Sequence, residues 1–360
     1  MKSIVELILF SKSNMFFLGL LFLLLLTFDT NTSAIPYRLR SFGYHQSHVT
    51  IFDSQANLNR AKGIVPWSEC ITRFPGLLEN EIYVPLPYGL ADENAYIPKQ
   101  ADIPVYVIVY NNPTFVKNMV EQIDCYGSHA LLLDSGSTYQ PMLDYLKNIE
   151  NGPPSRSGIR HKVIYLQHNA GPYGAFAADL FADMPPFVAI TDPDIYFNPH
   201  LPPNFLVTFA NLTKLYPGRK IGFALSLDNS SKFWPFVIDT TKRSIVTWES
   251  QFWVHPINMS TLNSYSVTNE GTIPFFFQAY DAAIDTTFAV YDVVQTRSNC
   301  KFNRCHFFKG MRVAGPFTAE HKPWYINFTA SWNKSEISAA YGDGSKGATI
   351  STALQAFGWV

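Results

Sequence analysis

Residues 187–194 read Phe-Val-Ala-Ile-Thr-Asp-Pro-Asp and join an apolar run to two carboxylates. Such a short, β-branched run is typical of a buried parallel strand. Pro193 fixes its own φ and stops the strand, so Asp192 and Asp194 fall at its end. Both carboxylates can bind one hard cation there, or one binds the cation and the other a ribose hydroxyl. Asp-x-Asp alone is equally typical of an ordinary turn, so its meaning depends on its surroundings.

Three similar apolar runs precede this one at regular spacing. They cover Ile103–Tyr110, His129–Asp134 and Lys162–Leu166. Turn-forming residues and a helical stretch follow each run: residues 114–126, a helix containing Met142, Leu143 and Leu146, and residues 175–182. Because strands alternate with helices at this spacing, the sequence predicts a doubly wound α/β sheet.

Polar side chains stand at the end of every predicted strand. They are Asn111, Asp134, Asn169 and Asp192. Ligands of such sheets bind at the carboxyl ends of the strands, so we expect these residues to share one cleft. Mg²⁺ or Mn²⁺ would suit a carboxylate site there, since either ion prefers oxygen ligands and bridges carboxylates to diphosphate oxygens.

Three short elements in this region resemble those of a known group of enzymes. Leu133-Asp-Ser-Gly-Ser-Thr138 resembles a D-x-G-S-T turn, Gln167-His-Asn-Ala-Gly171 an N-x-G element, and Ile190-Thr-Asp-Pro-Asp194 a DxD motif. In this order, residues 103–206 resemble the nucleotide-binding half of GT-A glycosyltransferases, particularly the family-2-like group. The resemblance implies a Rossmann-like mixed sheet flanked by helices, as in nucleotide-diphospho-sugar transferases.

The resemblance also implies roles for the donor-side residues. Asp134 would contact the nucleoside, and Asp192 and Asp194 would serve the metal and the sugar nucleotide. Asn111 and Asn112 would lie at the base or ribose end. The donor would be a nucleotide sugar, and the acceptor a hydroxyl of a glycan, glycoprotein or glycolipid.

Such enzymes usually supply an acidic base and a metal-binding histidine after the DxD motif. Asp285 is preferred as the base over Asp281, because it leads into an apolar, strand-like run; a turn residue and a helix cap are the competing interpretations. His321 is the candidate ligand, and an imidazole ligand favours Mn²⁺ over Mg²⁺. Trp324 and Tyr325 form either an acceptor-side stacking platform or part of the core.

The expected reaction is an inverting transfer of one sugar. The Q-x-x-R-W element of processive polymerases is absent. One alternative is a sugar-nucleotide nucleotidyltransferase, which usually carries a basic, glycine-rich loop after the first strand; Asn111-Asn-Pro113 lacks it. The other is a non-catalytic, lumenal glycan-binding protein that retained the fold.

The N-terminal sequence predicts export. The run 15–28 is uncharged and apolar, and it follows a lysine-containing tail, 1–14. It suits either a cleaved signal peptide or a signal-anchor helix, which would make a secreted protein or a single-pass type II membrane protein of the Golgi or ER. We expect a stem over 29–100 and a catalytic domain over 101–360, divided into a donor half, 101–206, and an acceptor half, 207–360.

The Asn-x-Ser/Thr sequons and the cysteines agree with the secretory pathway. Six Asn-x-Ser/Thr sequons begin at Asn31, Asn211, Asn229, Asn258, Asn327 and Asn333. The four cysteines suit an oxidising compartment; Cys300 with Cys305 and Cys70 with Cys125 is one of three possible connectivities. Net charge is −1, so no basic field indicates nucleic-acid binding.

Overall fold

The computed structural model describes most of the chain between residues 63 and 341. The described residues are 63–85, 98–166, 169–176, 178–235, 243–260, 262, 264–268, 271–299, 309–327 and 333–341. All of them belong to one compact unit, residues 53–360. The predicted tail, the apolar segment 15–28 and Cys300 and Cys305 lie outside the described residues. No described helix is both long and apolar enough to cross a bilayer.

Helices and strands alternate through the first half as the sequence predicts. The strands are β1 Ile82–Tyr83, β2 Val105–Val109, β3 Ala130–Asp134, β4 Lys162–Tyr165, β5 Phe187–Thr191, β6 Ile195–Phe197, β7 Lys220–Leu225, β8 Tyr265–Thr268, β9 Gly271–Pro274, β10 Ala279–Asp281, β11 Ala289–Asp292 and β12 Gly310–His321. The helices are α1 Trp67–Arg73, α2 Pro113–Cys125, α3 Gln140–Asn151, α4 Ala178–Ala182, α5 Phe205–Leu215, α6 Ile245–Ser250, α7 Val293–Asn299 and α8 Lys334–Tyr341.

Nine strands of the described chain form one mixed sheet, which confirms the predicted α/β class. Their order is β10-β12-β7-β11-β5-β2-β3-β4, and β6 pairs with β12 beside this path. Strands β5, β2, β3 and β4 are parallel neighbours, so their carboxyl ends share one edge. Strand β11 is antiparallel to both β5 and β7. The second half of the chain therefore extends the parallel sheet with antiparallel strands.

The parallel strands β2, β3 and β5 are covered on both faces, because alternate side chains enter different cores, whereas the edge strand β4 is partly exposed. Val105, Val107 and Val109 of β2 join a large cluster with residues of α2 and α5. Tyr106 and Ile108 join a second cluster, with the segment 175–184. This burial on both faces explains why the strands read as continuous apolar runs.

The stretch 63–85, which the sequence analysis includes in the stem, packs on the sheet unit. It contains α1, which was not predicted, and Cys70 of this helix forms a disulfide with Cys125 at the end of α2. That pairing is among the predicted connectivities. Strand β1 pairs with β8 in a separate three-stranded sheet with β9. The domain boundary near residue 100 stays a prediction.

Candidate functional site

The Asp-Pro-Asp segment forms the link between β5 and β6. Strand β6 pairs with the end of β12, where His321 lies opposite Ile195. This pairing brings the His321 ring to Asp194, whose carboxylate Oδ2 lies 3.4 Å from His321 Nε2. Asp194 is buried, with only 8% of its surface exposed. Two predicted ligands that are distant in sequence are thus adjacent in the fold.

Asp192 contacts the chain segment between β10 and β11, residues 282–288, which we term the β10–β11 loop. The Asp192 amide donates to the Thr286 carbonyl over 2.9 Å, and the Thr286 hydroxyl donates to Asp192 Oδ2. Asp285, the preferred base, precedes Thr286 and has an exposed side chain. Its Oδ1 accepts a hydrogen bond from the Thr287 amide over 3.2 Å. The loop therefore places a solvent-accessible carboxylate beside the Asp-Pro-Asp segment.

Burial and the neighbouring carboxylates of Asp194 and Asp285 perturb the pKa values of Asp192 and His321. Desolvation raises the pKa of Asp192 well above its usual range; Asp194 and Asp285 raise it further, while the Thr286 hydrogen bond opposes the rise. Burial by itself would lower the pKa of His321. Asp194 and Asp285 outweigh that effect, so the pKa of His321 is raised. A cation at this position would relieve the repulsion between the carboxylates.

The chemistry of the donor set fits a divalent metal, although no complete site is assembled. Asp194 Oδ1 and His321 Nδ1 are buried atoms without a hydrogen-bond partner among the described residues. In the part of the chain that the structure describes, no three His, Cys, Asp or Glu side chains converge as a metal site. The expected set of Asp192, Asp194 and His321 is therefore not preformed as three ligands among the described residues, and Asp192 Oδ2 accepts a hydrogen bond from Thr286.

Asn111 and Asn112 follow β2 at the carboxyl edge of the sheet. Asn111 has a φ of 54°, which Asn tolerates better than most residues. Its side chain is fully buried and bonded: Oδ1 accepts from the Thr138 and Tyr139 amides, and Nδ2 donates to the Ala339 carbonyl. Asn112 Oδ1, by contrast, is buried without a hydrogen-bond partner in the described chain. Asn112 is thus better suited than Asn111 to contact a ligand.

Asp134 is the last residue of β3, and Asn169 follows the neighbouring strand β4. Asp134 is buried at the end of β3, and its Oδ1 accepts from the Ser137 amide over 3.1 Å. Asn169 is exposed after β4, and its Oδ1 accepts from the Gly171 amide. Asn111, Asp134 and Asp192 thus follow three adjacent parallel strands, β2, β3 and β5.

Asp281 occupies a different environment from Asp285. It is exposed in β10 and forms a bidentate ion pair with Arg219, with Nη1–Oδ1 and Nη2–Oδ2 distances of 2.5 and 2.8 Å. The hydrogen bond from Arg219 lowers the pKa of the Asp281 carboxyl. A carboxylate held in this way is a weaker proton acceptor than an unpaired one, so the geometry favours Asp285 as the base.

Trp324 and Tyr325 lie directly after His321 and are partly used in packing. The Trp324 ring lies 4.9 Å from the His321 ring and 5.6 Å from Phe233, measured between centroids. Tyr325 is buried against Phe233, with an edge contact at 4.9 Å. Tyr325 therefore belongs to a small core, against which the half-buried Trp324 packs, and an acceptor-side role for either residue stays a prediction.

Four residues near the site were not predicted as site residues from the sequence. Thr286 contacts Asp192, and Glu249, Lys220 and Arg312 surround the β10–β11 loop. A signal was present for two of them: Lys220-Ile-Gly222 and Gly310-Met-Arg312 each place a cation two residues from a glycine at the start of an apolar run. Such charges are rare in buried strands unless they are paired.

No family model matches the chain, and no curated protein does. Among solved structures, the mannosyltransferase PcManGT from Pyrobaculum calidifontis, in complex with GDP-Man and Mn²⁺, is 12% identical, with a TM-score of 0.35; the match covers 76% of this chain and 83% of that one. S. aureus TarS 1–349 is 13% identical, with a TM-score of 0.31, over 55% of this chain and 48% of that one. The match thus spans about half of the TarS structure. At these scores, we infer nothing about function from the likeness.

Proposed function

We propose that this chain is a divalent-metal-dependent glycosyltransferase of the GT-A type. It would transfer a sugar from a nucleotide-sugar donor to an acceptor hydroxyl. The observation that carries this proposal is the contact between Asp194 and His321, beside Asp192 and its hydrogen bonds to the β10–β11 loop. This contact lies next to the carboxyl end of the parallel strand β5, where open α/β sheets bind ligands.

Asp194 and His321 are the residues that would hold the metal, with Asp192 joining them or binding the donor ribose. When bound, the ion supplies positive charge that stabilises a departing nucleoside diphosphate. Mn²⁺ is favoured over Mg²⁺ because one ligand is an imidazole. Asp134 and Asn112, at the ends of β3 and β2, would contact the nucleoside.

Asp285 is the proposed base. Its carboxylate would accept the proton of the acceptor hydroxyl while that oxygen attacks the anomeric carbon, and the bond to the diphosphate oxygen breaks on the opposite face. One displacement of this kind inverts the anomeric configuration. The Thr287 amide on Asp285 Oδ1 orients the carboxylate for this task. Trp324 is the proposed acceptor-side contact, and the acceptor would be a glycan, a glycoprotein or a glycolipid.

We further propose that the enzyme works in the lumen of the secretory pathway, in the Golgi or ER. The Cys70–Cys125 disulfide supports an oxidising compartment. Membrane attachment would depend on whether the segment 15–28 is retained.

The test is a donor screen over UDP- and GDP-sugars, with and without Mn²⁺, comparing wild type with Asp194→Ala. We expect metal-dependent turnover that Asp194→Ala abolishes. Asp285→Asn should lower kcat about 100- to 10,000-fold, the usual contribution of a general base. Asp281→Asn is the matched control, since it changes the same residue type four positions away and removes only a surface ion pair.

Three outcomes would each contradict one part of the proposal. Turnover without metal that survives Asp194→Ala would exclude the metal role. Retention of the donor's anomeric configuration would exclude the single displacement. Loss of turnover in Asp281→Asn but not in Asp285→Asn would transfer the role of base to Asp281.

A further inference from the structure

Strands β7 and β12 present an unusual surface to the β10–β11 loop. They are parallel neighbours, with Gly310 opposite Lys220 and Arg312 opposite Gly222. Two glycines and two cations therefore alternate diagonally on one face. The intervening residues, Ile221 and Met311, face the large core on the other side.

The glycines let the loop lie directly on the strands. A Cβ on Gly222 would come within 2.1 Å of the Phe288 carbonyl oxygen, and one on Gly310 within 2.3 Å of the Ala282 carbonyl oxygen. Both contacts involve backbone, which cannot move aside as a flexible side chain does. Any larger residue would lift the loop away from the sheet.

The cations bind the backbone of the loop between those two points. Lys220 Nζ donates to the Asp285 carbonyl over 3.3 Å, and Arg312 Nε donates to the Ala283 carbonyl over 2.8 Å. Lys220 is fully buried, and Arg312 is 2% exposed. The loop is thus held at both ends by close packing and in its middle by two buried side-chain donors.

Burying these cations is costly, which indicates that they serve more than packing. Desolvation lowers the pKa of Lys220 to about 7. Arg312 is compensated by Glu249, with Nη1–Oε1 at 2.5 Å, and lies 4.1 Å from the Phe252 ring. Apolar side chains of similar volume would often be as stable in such positions.

We propose that Lys220 and Arg312 are positioning residues for the reaction proposed above. They fix the backbone of Ala283–Asp285, so that the Asp285 carboxylate faces the acceptor. Neither cation touches the reacting atoms in this arrangement. The inference rests on the proposed function, because it assigns a catalytic purpose to the rigidity of the loop.

The experiment compares Lys220→Met with wild type in the full chain. Backbone amide hydrogen exchange, read by mass spectrometry over peptides covering 282–288, should be at least about 10-fold faster in the variant. For transfer, kcat should fall about 10- to 100-fold, as for other residues that orient catalytic groups, while the donor KM stays within about twofold. Lys214→Met is the matched control. The Lys214 side chain is half-buried over the Phe187 ring. Phe187 pairs with Asp292, at the end of β11 that is remote from the β10–β11 loop.

A double variant separates positioning from a general structural effect. In an Asp285→Asn background, Lys220→Met should cause little further loss of kcat, because its effect acts through the group already removed. Additive losses would overturn the proposal. Arg312→Lys, which keeps a cation opposite Glu249, provides the test if Lys220→Met does not fold; it should also accelerate exchange in 282–288.

Failure of the two proposals can be told apart. Unchanged exchange in both variants of an active enzyme would overturn the positioning role and leave the proposed function intact. A wild type that turns over no nucleotide sugar, with or without Mn²⁺, would refute the proposed function and the catalytic purpose of the loop together.

Discussion

Replacing Arg312 by Met leaves Glu249 buried without its cation. The resulting loss of unfolding free energy should depend on pH. Glu249 is 1% exposed, and its carboxylate contacts the Arg312 guanidinium at 2.5 Å. Burial raises the pKa of Glu249 from 4.5 to about 7, although Arg312 opposes the rise. Without Arg312 the pKa must rise further, so the variant keeps its proton above pH 7.

The size of the effect follows from linkage. A group whose folded-state pKa is raised stabilises the fold below its unfolded pKa, and that stability is lost as the pH rises through the folded pKa. In wild type the loss of stability due to Glu249 ends near pH 7. In the variant it continues above pH 7 at about 1.4 kcal/mol per pH unit. We expect Arg312→Met to cost about 1 kcal/mol at pH 6, mainly from the lost hydrogen bond to Ala283. At pH 9 the cost should reach about 3–4 kcal/mol, within the range for broken buried ion pairs.

The assay is urea-induced unfolding at pH 6 and pH 9, with Arg312→Met/Glu249→Gln as the comparison. The double variant has no carboxyl to titrate, so its penalty relative to wild type should lack the extra loss above pH 7. Equal penalties for Arg312→Met at the two pH values would refute the reasoning. So would a double variant that retains the steep loss between pH 7 and pH 9.

Three further expectations concern stability. Gly222→Ala should lower the free energy of unfolding by about 1–3 kcal/mol in urea titrations, because the added Cβ meets the Phe288 carbonyl; an unchanged midpoint would contradict the close packing of the loop. Burial lowers the pKa of His129 to about 4, so its neutral form is favoured in the fold and stability should fall as the pH drops from 6.5 towards 4. His129→Gln should reduce the difference in unfolding free energy between pH 4.5 and pH 7 by about 1–2 kcal/mol. The same difference in wild type and variant would exclude His129 as its source. Replacing Cys70 and Cys125 by Ala opens a loop of sequence separation 55 and should cost about 4 kcal/mol by chain entropy, measured as a shift of the urea midpoint; reduced and oxidised wild type of equal stability would contradict this.

The parallel half of the sheet was readable from the sequence. Strands buried on both faces, such as β2, β3 and β5, need continuous apolar runs, and turn residues separate these runs. These three strands and the edge strand β4 were therefore predicted close to their observed bounds. The position of Asp192 and Asp194 after β5 followed from the same pattern. Local chemistry therefore determined one side of the candidate site.

The other side depended on pairing between distant segments. Asp285 was a candidate by its order in the chain and by the apolar run that follows it. Its loop reaches Asp192 because β11 runs antiparallel between β5 and β7. His321 reaches Asp194 because β12 pairs with β6. Short antiparallel strands leave weak local signals, and no local pattern states which of them will be neighbours.

The sequence by itself determined the α/β class, the succession of strands along the chain from residue 103 to 191 and the carboxylates that follow the last of these strands. The sequence already favoured Asp285 over Asp281, but only the tertiary structure showed that Asp281 is paired with Arg219 at the surface. It alone showed that Lys220 and Arg312 bind the β10–β11 loop. The reason is physical: a side chain's chemical role depends on the charges, donors and solvent around it, and these come from segments far away in the chain.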